Sequence, residues 1–231
     1  MLFRSGHLGS LNLSTSAYYA MGHAERGTFV DRPQQIRAGF FAAELSKDFS
    51  WVRARASLAW GSADSDPFDG RGEGFDAIFE NPLFAGADTS FWIREPVPLI
   101  GGGRVALSGR NGLLNSLRSS KEFGQSNFAN PGLKLIGIGA DFDLTPTLRV
   151  STNVNWLQFV DTATLRIARA QGDIDKDIGL DASIAVIWRP MAIQNVVGRL
   201  SVATLVPGAG YRDLFEDQTA YAVLGNLVLT Y

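Results

Sequence analysis

The chain contains no cysteine and, among 231 residues, two histidines, His7 and His23. The first absence excludes a disulfide framework and any cysteine-ligated zinc site. It also suits passage through an oxidising compartment, though it does not require it. The second leaves little for catalysis. There is no cysteine nucleophile, and no serine, histidine and acid can be argued into one set, so the sequence does not read as an enzyme. His23 near Asp64 or Asp66 is the nearest approach to a catalytic pair, and loose co-occurrence of this kind is rarely catalytic. No run reaches the roughly 20 apolar residues of a membrane-spanning helix. The stretches GSADSD and GGGRV are not followed by Gly-Lys-Ser/Thr and so are not phosphate loops. Charge is sparse, at 19% Asp, Glu, Lys and Arg, where about 25% is ordinary for soluble domains. The net charge of −2 speaks against a nucleic-acid partner. MLFRSGHLGS carries no apolar core long enough for a secretion leader, so Met1 is expected to be a mature, engineered or internal start.

What the chain does have is alternation. Hydrophobic residues make up 45% of it, aromatics 11%, and there are 25 glycines. Eight segments show a period of two, the mark of a strand with two unlike faces: residues 10–22, 35–46, 51–62, 132–143, 148–160, 177–189, 195–206 and 220–231. In the third, Val52, Ala54, Ala56, Leu58 and Trp60 oppose Arg53, Arg55 and Ser57. In the fifth, Leu148, Val150, Val154 and Trp156 oppose Arg149, Ser151, Asn153 and Asn155. The connections alternate long and short throughout. The expected architecture is all-β: an antiparallel up-and-down transmembrane barrel with about eight strands in this chain, part of a larger barrel. It forms a single domain with one long extracellular loop at 63–131. Tyr19, Trp51, Trp60, Trp156, Trp188 and Tyr231 fall toward strand ends, as interfacial aromatics do. A soluble β-sandwich is the competing reading; it requires Val52, Leu58, Val150, Val154, Ile184 and Val202 to be buried.

If the apolar faces meet lipid, the opposite faces line a lumen. The candidate solute path is Arg37, Arg53, Arg55, Arg149, Asn153, Asn155, Asp181, Arg189 and Arg199. Fixed guanidinium groups favour anions. Alternatively they pair with Asp141, Asp181 and Glu44 and brace the wall, as in a narrow barrel filled by side chains. The long loop opens on DSDPFDGRGEGFD. Its Asp64, Asp66, Asp69 and Asp76 are candidate Ca²⁺ ligands, although their spacing is not that of an EF-hand and a solvated acidic turn is the plainer alternative. No other cofactor is expected. The aromatic stretch that follows either folds inward to narrow a pore or packs on its neighbours, and GGGRVALSGR is a short hairpin or a glycine hinge.

The final segment, AYAVLGNLVLTY, carries Tyr221, Val223, Leu227, Leu229 and Tyr231 on one parity. It resembles the C-terminal insertion signal of bacterial outer-membrane barrels. That implies a bacterial outer-membrane location, with membrane lipid and the barrel-assembly machinery as partners. WGSADSDPFDGRGEGFDAIFENPLFAG, with FWIRE, RSSKEFGQSNFANPGL and DIGLD, is similar to the C-terminal half of alginate-export porins. Those barrels exceed eight strands and pass a polyanionic polysaccharide through an arginine-rich lumen. The resemblance implies a porin-like channel for small or polymeric, anionic or sugar-like solutes. A non-conducting anchor that presents its long loop to a partner is the alternative.

Overall fold

The computed structural model of the protein describes residues 2–77, 80, 82–100, 105–117, 126–190 and 195–230. Met1, residues 78, 79 and 81, the glycine run at 101–104, the stretches 118–125 and 191–194, and Tyr231 lie outside the described residues. Nine long strands form one antiparallel meander: β1 (Leu2–Leu8), β2 (Leu11–Ala24), β3 (Gln34–Phe49), β4 (Val52–Gly61), β8 (Leu133–Thr145), β9 (Leu148–Gln158), β10 (Asp177–Trp188), β11 (Val196–Pro207) and β12 (Ala220–Leu229). Each pairs with its neighbour in this order. A two-residue strand, β5 (Arg71–Gly72), adds in parallel to the start of β3. Inside the excursion between β4 and β8 lie α1 (Phe91–Arg94) and a separate antiparallel pair, β6 (Val97–Ile100) and β7 (Val105–Ser108). This pair supplies the arms of the hairpin expected around GGGRVALSGR. Two more short helices, α2 (Ala163–Arg169) and α3 (Ala209–Leu214), sit in the β9–β10 and β11–β12 connections.

All eight expected segments are strands. The count differs by one, because Leu2–Leu8 forms an additional strand on β2. Its alternation is too weak to see in sequence, since Gly6 and Ser5 interrupt both parities. The connections keep their asymmetry. At one end the turns are tight, with Leu8 paired to Leu11, Phe49 to Val52 and Thr145 to Leu148. Ser50 takes a left-handed φ of 55° to make the second of these. At the other end lie the stretches 25–33, 62–132, 159–176 and 208–219.

The two faces of the sheet have reversed polarity. On one face Leu58, Val154, Ile184 and Val202 are exposed, and Val52 and Val150 are half-buried. None of the six lies in a closed core, contrary to the sandwich reading. Tyr19, Trp51, Trp60, Trp156 and Trp188 are exposed on this outer surface. From β3 to β11 its charged residues are Arg37, Lys47, Lys134 and Asp177, each within four residues of a strand end. The other face buries Ser57, Ser151, Asn153, Asn155, Asp181 and Ser201. Toward the loop end this inner face turns apolar: Leu133, Leu135, Leu157, Phe159, Ile178 and Leu205 are fully buried. They pack under residues of the loops, Trp92, Leu113, Leu165 and Leu214 among them.

Gly179 shows how tightly the wall joins that core. It sits at a register shift in β10 with φ of 129°, and a Cβ there would run into the Val206 carbonyl oxygen and the Gly208 amide nitrogen. Both obstacles are backbone. Gly179→Ala is expected to destabilise the fold by roughly 2–3 kcal/mol, read as a lowered urea midpoint of the refolded protein. An unchanged midpoint would show that β10 and β11 tolerate separation there.

Candidate functional site

Pairing register assigns each candidate to a face. Across the sheet, Ser14, Glu44, Ser57, Gly137, Asn155 and Asp181 occupy one inner rung. Arg55, Gly139, Asn153 and Ser183 form the next, Arg53, Asp141 and Ser151 another. Asp143, Arg149, Ile187 and Arg199 lie nearest the tight turns. Arg189 follows β10 on the same parity. Arg37 does not belong to this set. It pairs with Met21, two residues from Gly39 and Tyr19, and lies exposed on the outer face. Apolar residues occur on both parities of β3, so its orientation is fixed by partners: Glu44 faces inward, which sends Arg37 outward.

Glycines shape the inner wall. Gly137 and Gly139 lack the side chains that would meet Asn155 and Asn153, so these two amides lie flat across β8. Over them passes the long loop, which hydrogen-bonds to this face of the sheet. Asn155 Nδ2 donates to the Ala85 carbonyl at 2.9 Å. Glu44 Oε2 accepts from the Ala85 amide at 2.9 Å and from the Ser57 hydroxyl at 2.8 Å. The Thr89 and Ser183 hydroxyls share a 2.8 Å hydrogen bond. Asp181 accepts from the Ser90 hydroxyl and from the amides of Phe91 and Trp92, each at 3.1 Å. Ser90 in turn accepts from the Ile93 amide at 3.1 Å, so wall and loop together cap α1. Trp92 is fully buried behind this cap and donates its indole N–H to the Leu113 carbonyl at 2.9 Å.

Below the loop, toward the tight turns, lies a cavity of about 250 Å³ lined by Arg55, Arg149, Arg189, Arg199, Asp141 and Asp88 with parts of residues 83–89. Most of its arginines are paired. Arg55 Nη2 donates to Asp141 at 3.0 Å and to Asn153 at 2.9 Å. Arg149 forks onto Asp143 at 2.6 and 2.8 Å. Arg199 meets Asp88 of the loop at 2.8 Å. Further down the wall Arg53 holds Asp48 at 2.5 Å. Arg189 has neither an ion pair nor a side-chain hydrogen bond among the described residues. The Nε atoms of Arg55 and Arg199 are buried without a partner. Bracing therefore accounts for four guanidinium groups and leaves Arg189 as the exposed lining arginine without a partner among the described residues. Asp181 and Glu44, expected as partners for arginine, serve the loop instead. Asp88 and Leu83, which also line the cavity, carry no sequence signal of their own.

The acidic run forms a series of turns. Asp64 Oδ1 accepts from the Asp66 amide at 3.2 Å, Asp66 from Phe68 at 3.1 Å, and Asp69 from Arg71 at 2.7 Å. These are consecutive side-chain-capped turns. Asp76 lies elsewhere, accepting from the Asn127 amide at 3.0 Å. Among the described residues no three acidic or histidine side chains gather as metal ligands. Asp64 is buried at the root of the loop, where its amide donates to the Asn130 carbonyl at 2.9 Å. Burial, with Asp69, Glu73 and Asp66 adding like charge, pushes its carboxyl up from 3.8 to about 7.

The chain matches no model of a known protein family and no curated protein.

Two outcomes test this geometry. Asp181→Ala strips the acceptor from three loop donors, at a cost on the order of 3 kcal/mol, and should speed chymotryptic cleavage at Phe91 and Trp92; unchanged cleavage would remove Asp181 as the anchor. Asp64 binds its proton more tightly folded than unfolded. Its contribution to stability is therefore complete below about pH 4 and is lost as pH rises through 7. Melting temperature should fall between about pH 4 and 7, and Asp64→Asn should flatten that component, of about 2 kcal/mol after allowance for solvent near the turn. An identical pH profile in the variant would sink the assignment.

Proposed function

We propose that the protein is an outer-membrane β-barrel, or part of one, that acts as a passive channel for small anionic or sugar-like solutes through an arginine-lined interior. The observation that carries this reading is the reversed polarity of the sheet. Aqueous folding cannot stabilise a wall that exposes Leu58, Ile136, Ile138, Val154, Ile184, Leu200, Val202 and Val223 while burying serines, asparagines and an aspartate. Hydrocarbon can. The outer charges near strand ends and the exposed aromatics at both ends fit a bilayer with two interfaces. Strands β2 to β4 and β8 to β12, of 10–16 residues, meet the roughly 9–11 that a tilted crossing needs. On this reading the tight turns face the periplasm, the long loops face outward, and insertion uses the barrel-assembly machinery.

Nine consecutive antiparallel strands leave β1 and β12 running in the same direction. An antiparallel closed wall then needs an odd number of further strands between them, which supports a barrel larger than this chain. The width of the interior points the same way. Eight strands leave room for side chains alone, whereas this inner face carries a folded loop with its own helix.

The second reading is a non-conducting anchor or binding barrel. It is favoured by the apolar core that loop residues build over the inner face at the loop end. The two separate in a planar bilayer. The channel predicts stepwise conductance with anion preference, reduced about twofold or more when Arg149 and Arg189 are both replaced by glutamine; the anchor predicts no steps. Extraction from membranes without detergent would defeat both.

A further inference from the structure

The cavity beneath the inserted loop has an apolar side as well as a cationic one. Leu83 projects into it from the loop and is 85% exposed. Ile187 faces it from β10, and Ala87 closes the same side. On the same wall stand Arg199, the cross-strand partner of Ile187, and Arg189, which is exposed and unpaired among the described residues. A leucine left this open beside one exposed guanidinium is a poor fit to a bare inorganic anion and to a hydroxyl-covered sugar acid. Both keep their water, and neither gains from covering a methyl group. The volume of about 250 Å³ lies below the roughly 300–1,000 Å³ of sites for drug-sized ligands, which sets the occupant at one small molecule and not a polymer chain.

We propose that this cavity binds a small monocarboxylate with an apolar body, an aromatic or branched aliphatic acid of about the size of benzoate. The carboxylate sits on Arg189, and the hydrocarbon covers Leu83 and Ile187. Because Leu83 belongs to the loop and Arg189 to the wall, such a solute bridges the two. The assignment rests on the inner face being reached by solute, as proposed above, and it narrows that solute to an amphipathic acid.

The test measures equilibrium binding of benzoate, acetate, galacturonate, inorganic phosphate and benzyl alcohol to the refolded chain in detergent, with protein-free micelles subtracted. Benzoate is expected to bind about tenfold more tightly than acetate, the worth of covering a modest apolar area, and more tightly than galacturonate or phosphate. Benzyl alcohol, which lacks the charge, should bind weakly. Arg189→Gln should weaken benzoate about tenfold, and Leu83→Asn should bring the benzoate-to-acetate ratio close to one, with circular dichroism showing both variants folded. Phosphate or galacturonate equalling benzoate would overturn the proposal, as would a ratio unmoved by Leu83→Asn. Conductance is read separately. Binding without conductance removes the channel and keeps the site; conductance without benzoate preference removes the site and keeps the channel.

Discussion

A β-strand must send successive side chains to opposite faces, and in this chain that geometric rule divides chemistry as well as space. On β9, Val150, Val154 and Trp156 go one way while Ser151, Asn153 and Asn155 go the other, and it is the second set that is buried. Burial of amides and hydroxyls without partners would cost several kcal/mol per group, so the sheet is stable with this orientation when its polar side is given hydrogen-bonding partners. The long excursion between β4 and β8 provides them. Its backbone meets Glu44, Asn155 and Asp181, and its side chains meet Ser183 and Arg199. Loop and wall thus satisfy one another. The loop gains a cap for α1 and a floor for Trp92, and the wall gains partners that its own register cannot supply.

Polarity also changes along the height of the inner face. Near the loops it is leucine, isoleucine and phenylalanine, in the middle amide and hydroxyl, near the tight turns arginine and aspartate. The apolar zone seals against Leu113, Leu165 and Leu214, which fastens three of the four long connections to one end. The charged zone remains open, because paired charges keep enough water to offset their desolvation. The cavity lies in the charged zone, under the inserted loop. Its mixed lining comes from two sources, leucine from the loop and arginine from the wall.

The strands were legible from sequence because alternation is local. Residues 148–160 show their period without reference to anything else, and the observed β9 starts at the same residue. β1 was not legible, since Leu2, Gly6 and Leu8 make no apolar row and its pairing to β2 is a matter of register. Arg37 failed for a related reason. Ile36, Phe40 and Phe41 give β3 no preferred face, and only Glu44 opposite Ser14 and Ser57 settles which way it turns. The acidic run was readable as turn chemistry, because each aspartate caps the residue two places on, a contact that composition suggests as readily as it suggests a cation. The anchoring of the loop was out of reach. Asp181 and Ser90 lie 91 residues apart, and nothing in GADTSFWIRE announces which strand will receive it.

The arginines show why residue type alone underdetermines a site. Six were counted on sequence as a positive wall. One faces outward, and four are held by Asp48, Asp141, Asp143 and Asp88, so their long-range field is largely cancelled. What survives neutralisation is short-range and directional: the side chain of Arg189, which lines the cavity and is unpaired among the described residues. A wall of uncompensated charge would attract any anion from a distance, with little discrimination. A wall of compensated charge with a few free donors acts on contact, so it selects by shape and by what the rest of the solute touches. The inner surface is of the second kind, and discrimination there depends as much on the loop residues beside the arginines as on the arginines themselves.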